Sequence, residues 1–151
     1  MLNAEFINPY IQGSQKVLEK ICGQRPGLGK IFIKKPPYAP QKVAVTVSTT
    51  GAVKTTAVYA MDAKTGFYLA SKMMGGFEIN SLDDMSISSL CELANIISGN
   101  VSTAFADKGI LTDITTPAYY VDNYPSLSEA VVCIPFLLAG NCTFELDVCL
   151  I

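Results

Sequence analysis

The chain has 151 residues, half of them hydrophobic and 16% charged; this is the size of one domain with a real core, and it argues against disorder. There is no histidine and no tryptophan, which excludes every nucleophile pair, general base or metal ligand that needs an imidazole. The net charge of −2 hides an asymmetry: residues 1–72 hold ten Lys/Arg against three acids (+7), and residues 73–151 hold one, Lys108, against ten (−9).

Nucleic acid and anionic membrane both require a concentrated basic face. Here the basic residues are spread out, with only Lys30, Lys34 and Lys35 close together, and neither partner is expected. The polarity suits a protein partner with a charged patch of its own. No apolar run reaches the ~18–20 residues of a membrane span, and MLNAEFINPY has neither the basic region nor the apolar core of a secretory signal. The five cysteines (Cys22, Cys91, Cys133, Cys142, Cys149) form no Cys-x-x-Cys pair. They read as small hydrophobes in a reducing compartment, the cytoplasm, and not as a zinc site or a disulfide framework.

In chain order, residues 4–22 carry apolar residues at helical spacing. Pro9 is best tolerated in a first turn, which places the start of regular helix near Asn8, and Gly23 is a natural stop. QRPGLGK (24–30) reads as a loop. Residues 30–35 alternate apolar and basic, with Ile31 and Ile33 set against Lys30 and Lys34, the pattern of an edge strand. PPYAPQ (36–41) is a stiff connector, and KVAVTVSTTGAVKTTAVYAM predicts two strands around a turn at Gly51.

Asp62 is placed to cap a helix that ends at Gly75-Gly76. Ser81-Leu-Asp-Asp84 resembles a capping box opening a second helix, which runs to about Lys108 and stops at Gly109. Residues 113–122 predict a strand. EAVVCIPFLLAG and CTFELDVCLI predict two more, joined near Gly140-Asn141. In the last, Phe144, Leu146, Val148 and Leu150 face one way and Thr143, Glu145, Asp147 and Cys149 the other. Helix, strands, two helices and strands make one α+β domain over 1–151, an antiparallel sheet covered by long helices.

The helix after Asp84 is the one with chemical potential. At ~100° per residue, Leu82, Leu90, Leu93, Ile96, Ile97, Val101 and Ala104 form a core face, with Met85 at its edge. Ser88, Glu92, Asn95 and Gly99 follow steps of four, three and four and fall on the opposite stripe. Glu92 and Asn95 therefore stand outward, side by side. A Glu and an Asn three apart are common on a solvated face. Asn95, however, is a weak helix former, and a small residue at Gly99 lets another backbone approach closely.

The stretch MMGGFEINSLDDMSISSLCELANIISGN (73–100) with GILTDITTPAYY (109–120) resembles the CheX-type phosphatases of bacterial chemotaxis, within the CheC/CheX/FliY family. The shared pieces are the Met-Met-Gly-Gly before the helix, the Ser-x3-Glu-x2-Asn stripe, and the Asp-Ile-Thr-x-Pro after it. The resemblance implies a CheC-like fold and hydrolysis of the phosphoaspartate on a CheY-like response regulator. It puts the family's glutamate on Glu92, its asparagine on Asn95, its serine on Ser88 and its later proline on Pro117. Asn95 and Pro117 are separated by 21 residues, one fewer than in the wider family. Relatives of the CheC type carry two such motifs. Here the echo is Glu5-x2-Asn8, with Met1 where Asp or Ser belongs and Pro9 following at once, and no second active site is expected.

In this reading Asn95 positions the attacking water and Glu92 docks the receiver, with Ser88, Gly99 and Pro117 as partner contacts. The chain itself needs no cofactor or metal, because magnesium comes with the receiver. A homodimer is expected. Two alternatives remain at this point: a non-catalytic receiver-binding or flagellar-switch-like module of the same fold, and an unrelated α+β structural protein.

Overall fold

The computed structural model describes residues 4–150; Met1, at the head of the Glu5/Asn8 echo, lies outside them. In chain order the elements are α1 (Ala4–Cys22), β1 (Gly27–Leu28), β2 (Phe32–Lys34), β3 (Gln41–Gly51), β4 (Thr55–Met61), α2 (Ala63–Met73), α3 (Asp84–Ala106), β5 (Thr112–Ile114), β6 (Ala118–Asn123), β7 (Val131–Leu137) and β8 (Thr143–Leu150). A 3-10 turn, Ala139–Asn141, joins the last two strands, with Gly140 and Asn141 both at positive φ. The architecture is the expected α+β one.

Alternation of apolar residues builds the middle of the sheet. β3 and β4 form the hairpin expected around Gly51. Gly51 has a φ of 98°, and a Cβ there would meet the Leu111 carbonyl at 2.8 Å, so only glycine fits. β8 pairs with β4 and β7 with β8, and all pairing is antiparallel. Two short strands finish each end: β1 and β2 on β7, β5 and β6 on β3. One face carries Val43, Val45, Val47, Tyr59, Ile134, Phe136, Phe144, Leu146 and Val148 under the three helices, in a single buried core. On the other face Tyr38 and Tyr124, their rings tilted by 32° with centroids 5.0 Å apart, pack with Ala44, Val58 and Ala60.

Several details differ from expectation. α1 is helical from Ala4, so Pro9 lies inside it, with its ring buried. Proline lacks the N–H of an internal turn, and the packing of the α1 apolar face offsets that loss. The 24–30 loop contains β1. α3 is capped by Asp83 and not by Ser81: the Asp83 carboxylate accepts from the Ser86 N–H at 2.9 Å and from its hydroxyl at 2.8 Å. These two bonds hold the Asp83 carboxyl below the usual range. The single strand predicted over 113–122 is two, β5 and β6, split at Thr115–Pro117, where proline cannot donate to the ladder.

Two faces are also corrected. In β2, Ile33 is 67% exposed while Lys34 turns inward toward Glu145 and Asp147, the reverse of the expected apolar-in pattern. On α3, Met85 is 66% exposed, and Ile87, Ala94 and Phe105 join the buried face.

Candidate functional site

The core face of α3 fixes where its other face points. Leu90, Leu93, Ile97 and Val101 are buried against the sheet, and beneath them the Ser98 hydroxyl bonds the Tyr59 hydroxyl of β4 at 2.8 Å. This buried pair sets the rotation of the helix about its axis. α1 packs across α3 at Gly13, where a Cβ would stand 3.0 Å from the Val101 side chain and 3.2 Å from its backbone nitrogen. With that rotation fixed, Ser88 and Glu92 are exposed, and Asn95 and Gly99 are half-buried on the outer stripe.

The second wall comes from the end of the sheet. The Ser102 hydroxyl of α3 donates to the Thr112 carbonyl at 2.9 Å, tying β5 to the helix. The segment after β5 is pinned to β3: the Thr115 N–H donates to the Ser48 carbonyl, and the Ser48 N–H donates to Thr115 Oγ1, both at 2.9 Å. Thr115, Thr116, Pro117 and Tyr119 are thereby held across from α3. Between the two walls runs an open groove of about 560 Å³, lined on the helix side by Ile87, Ser88, Cys91, Glu92 and Asn95.

Four of the five residues read from the sequence, Ser88, Glu92, Asn95 and Pro117, line this one groove. Gly99 continues the same helical stripe beyond the lining, and a Cβ on it would meet nothing within 4 Å. Thr115, Thr116 and Tyr119 are lining residues that the sequence does not single out, although the Asp-Ile-Thr-x-Pro segment contains the first two of them. Nothing in the sequence shows that this segment folds back beside α3.

Among the described residues, Glu92 and Asn95 have no hydrogen-bond or ion-pair partner within the chain, so carboxylate and carboxamide are both available to an incoming molecule. The groove lining includes one thiol, Cys91. Burial pushes its thiol up, which keeps the sulfur protonated at neutral pH and poorly nucleophilic. An exposed carboxylate and an amide on one helix, with a proline-containing wall opposite, can orient a water and grip a cation. The echo on α1 places Glu5 and Asn8 on an exposed face, apart from this groove.

The architecture, three helices on one face of an antiparallel sheet, is that of the CheC-like fold. The family model described as chemotaxis phosphatase CheX matches residues 43–137, and the chain belongs to that family. It is 27% identical over 116 residues to the CheY-P phosphatase CheX of Thermotoga maritima, covering 77% of this chain and 75% of that protein. The crystal structure of a CheX–CheY–BeF3–Mg complex from Borrelia burgdorferi is similar at 28% identity, with a TM-score of 0.78 over 95% of this chain and 96% of that one. A chemotaxis protein CheX from Desulfovibrio desulfuricans shares the fold, with a TM-score of 0.83, 22% identity, and 97% and 99% of the two chains covered. No helix among the described residues is long and apolar enough to cross a membrane.

Proposed function

We propose that this protein is a phosphatase that accelerates hydrolysis of the phosphoaspartate on a CheY-like response regulator. The observation that carries the reading is the placement of Glu92 and Asn95, without partners of their own, in one groove with Ser88 and Pro117. Family membership and the CheX–CheY complex of the Borrelia relative support it.

Hydrolysis of an acyl phosphate has a loose transition state, in which positioning and charge stabilisation do most of the work. The receiver supplies magnesium and the electrophilic phosphorus; this chain supplies no metal. Asn95 accepts from the attacking water through its carbonyl oxygen and donates to a phosphoryl oxygen through its amide, which holds the water in line. The water oxygen bonds to phosphorus as the bond to the aspartyl oxygen breaks, releasing inorganic phosphate and the free carboxylate. Glu92, one turn away, pairs with a cation on the receiver and fixes the register of docking. A homodimer formed by pairing exposed strand edges is part of the same proposal.

The test is a phosphate-release assay on a CheY-type receiver phosphorylated with acetyl phosphate. Wild type accelerates the decay, and Asn95→Ala abolishes the acceleration while the circular dichroism spectrum is unchanged. Full activity in Asn95→Ala would overturn the assignment of the water to Asn95. Receiver binding without any acceleration by wild type would favour the non-catalytic module.

A further inference from the structure

The phosphatase reading leaves the basic half of the chain without a role. Ten of the eleven Lys/Arg precede residue 73, and the fold gathers three of them. α1 contributes Lys16 and Lys20, one turn apart, and the last turn of α2 contributes Lys72. They line a groove of about 580 Å³ between the three helices, over an apolar floor that includes Val17, Ile21 and Ile96. No carboxylate lines it among the described residues. None of the three lysines has an ion-pair partner among the described residues; Lys72 only leans over the Tyr68 ring, 5.6 Å from its centroid. Three exposed like charges around an apolar hollow are complementary to an acidic partner that carries an apolar side chain.

The position of the groove says which partner. Ile96 follows Asn95 directly, and at ~100° per residue it turns toward α1 and α2. α3 is therefore a ridge with the Pro117 groove on one flank and the lysine groove on the other. The two grooves flank the same ridge, so a protein seated on Glu92 and Asn95 lies beside both. We infer that Lys16, Lys20 and Lys72 form a second docking surface for the phosphorylated receiver, receiving an acidic segment that carries an apolar side chain onto the Ile96 floor. The inference rests on the phosphatase reading and adds to it the electrostatic recognition of the substrate. Unlike Asn95, these lysines touch no reacting group. They act on the encounter and on the lifetime of the complex, and their contribution is screened by salt.

The experiment compares wild type with K16E/K20E/K72E and with K54E/K64E/K108E, which has the same change in net charge at exposed lysines away from the groove. The receiver is a CheY-type domain phosphorylated with acetyl phosphate, assayed from 25 to 300 mM NaCl; its magnesium–beryllofluoride form is used for binding. The groove variant is expected to lose tenfold or more in kcat/KM at low salt, with kcat at saturating receiver unchanged. Its salt dependence is expected to be flatter than that of wild type. The control variant stays within about twofold of wild type, and K16Q/K20Q/K72Q falls between the two. If wild type and Asn95→Ala are equally inactive, the phosphatase reading fails. If Asn95 is essential but the groove variant matches wild type, or the control loses as much, this inference alone is overturned. The absence of beryllofluoride-receiver binding by wild type overturns both.

Discussion

In the proposed reaction Asn95 and Glu92 divide the labour of the site by chemistry, and their substitutions should separate. Glu92 is exposed and makes no bond within the chain, so Glu92→Lys removes nothing from the fold. It places a cation against the cation that Glu92 is proposed to grip. A loss of tenfold or more in kcat/KM is expected, about 1.4 kcal/mol or more of docking energy, with the thermal midpoint within about 2 °C of wild type. Retained affinity for the beryllofluoride receiver would remove Glu92 from the interface. Gly99 gives the opposite pattern. A Cβ there meets nothing within the chain, and an internal helical glycine costs about 1 kcal/mol relative to alanine. Gly99→Ala is therefore expected to raise the thermal midpoint while lowering kcat/KM, and unchanged kcat/KM would show that no partner backbone comes close. The stripe of Ser88, Glu92, Asn95 and Gly99 was legible because the helical period alone fixes which side chains share a face. Thr115, Thr116 and Tyr119 were not, because their place opposite α3 depends on the pairing of β5 with β3, about sixty residues away in the chain.

At the scale of elements, β8 shows where local pattern fails. Alternation along it correctly sends Phe144, Leu146 and Val148 into the core. The same alternation does not say that the other face is also covered, and Asp147 on that face is 0% exposed. Its carboxylate accepts from the Tyr124 hydroxyl at 2.7 Å and lies 3.2 Å from the Lys34 ammonium. Lys34 also reaches Glu145. This is why Lys34 points inward and Ile33 outward: the ammonium is drawn to two carboxylates that lie far along the chain. Burial, then the neighbouring Glu145, push the Asp147 carboxyl up to about 6, against the opposing effects of Tyr124 and Lys34. The native state therefore holds the Asp147 proton more tightly than the unfolded chain does. The contribution of this residue to stability is most favourable below its unfolded value of 3.8 and declines as pH rises through 6. A rise from 3.8 to about 6 is equivalent to about 3 kcal/mol. Asp147→Asn keeps the shape and loses the titration. Its stability relative to wild type is expected to rise from pH 4 to pH 7 by up to that amount, read from urea unfolding at each pH. A pH-independent difference would show that Asp147 remains ionised throughout.

The whole molecule is a sheet whose two ends are finished differently, and this bears on where the proposed second copy would join. At one end β5 and β6 cover β3, and the groove that holds Glu92 and Asn95 lies there against α3. At the other end β7 is covered only by the short strands β1 and β2, and Leu28, Ile31, Phe32 and Ile33 are all exposed along that margin. The unpaired backbone at a sheet edge is a template for pairing, and exposed apolar side chains beside it favour burial against a second copy; a twofold axis makes such pairing closed and self-limiting. The proposed homodimer is therefore placed at the β2 edge. Ile33→Asp puts a charge on its most exposed apolar position and touches no core residue. In sedimentation at micromolar concentration, wild type is expected as a dimer and Ile33→Asp as a monomer, with the same secondary structure. Because the groove lies at the opposite end of the sheet, each protomer keeps a complete site, and kcat/KM per chain should stay within about twofold of wild type. A wild-type monomer would remove the dimer from the proposal, and a dimer surviving in Ile33→Asp would move it to another edge. A monomer with activity reduced tenfold would mean instead that the second copy contributes to receiver docking.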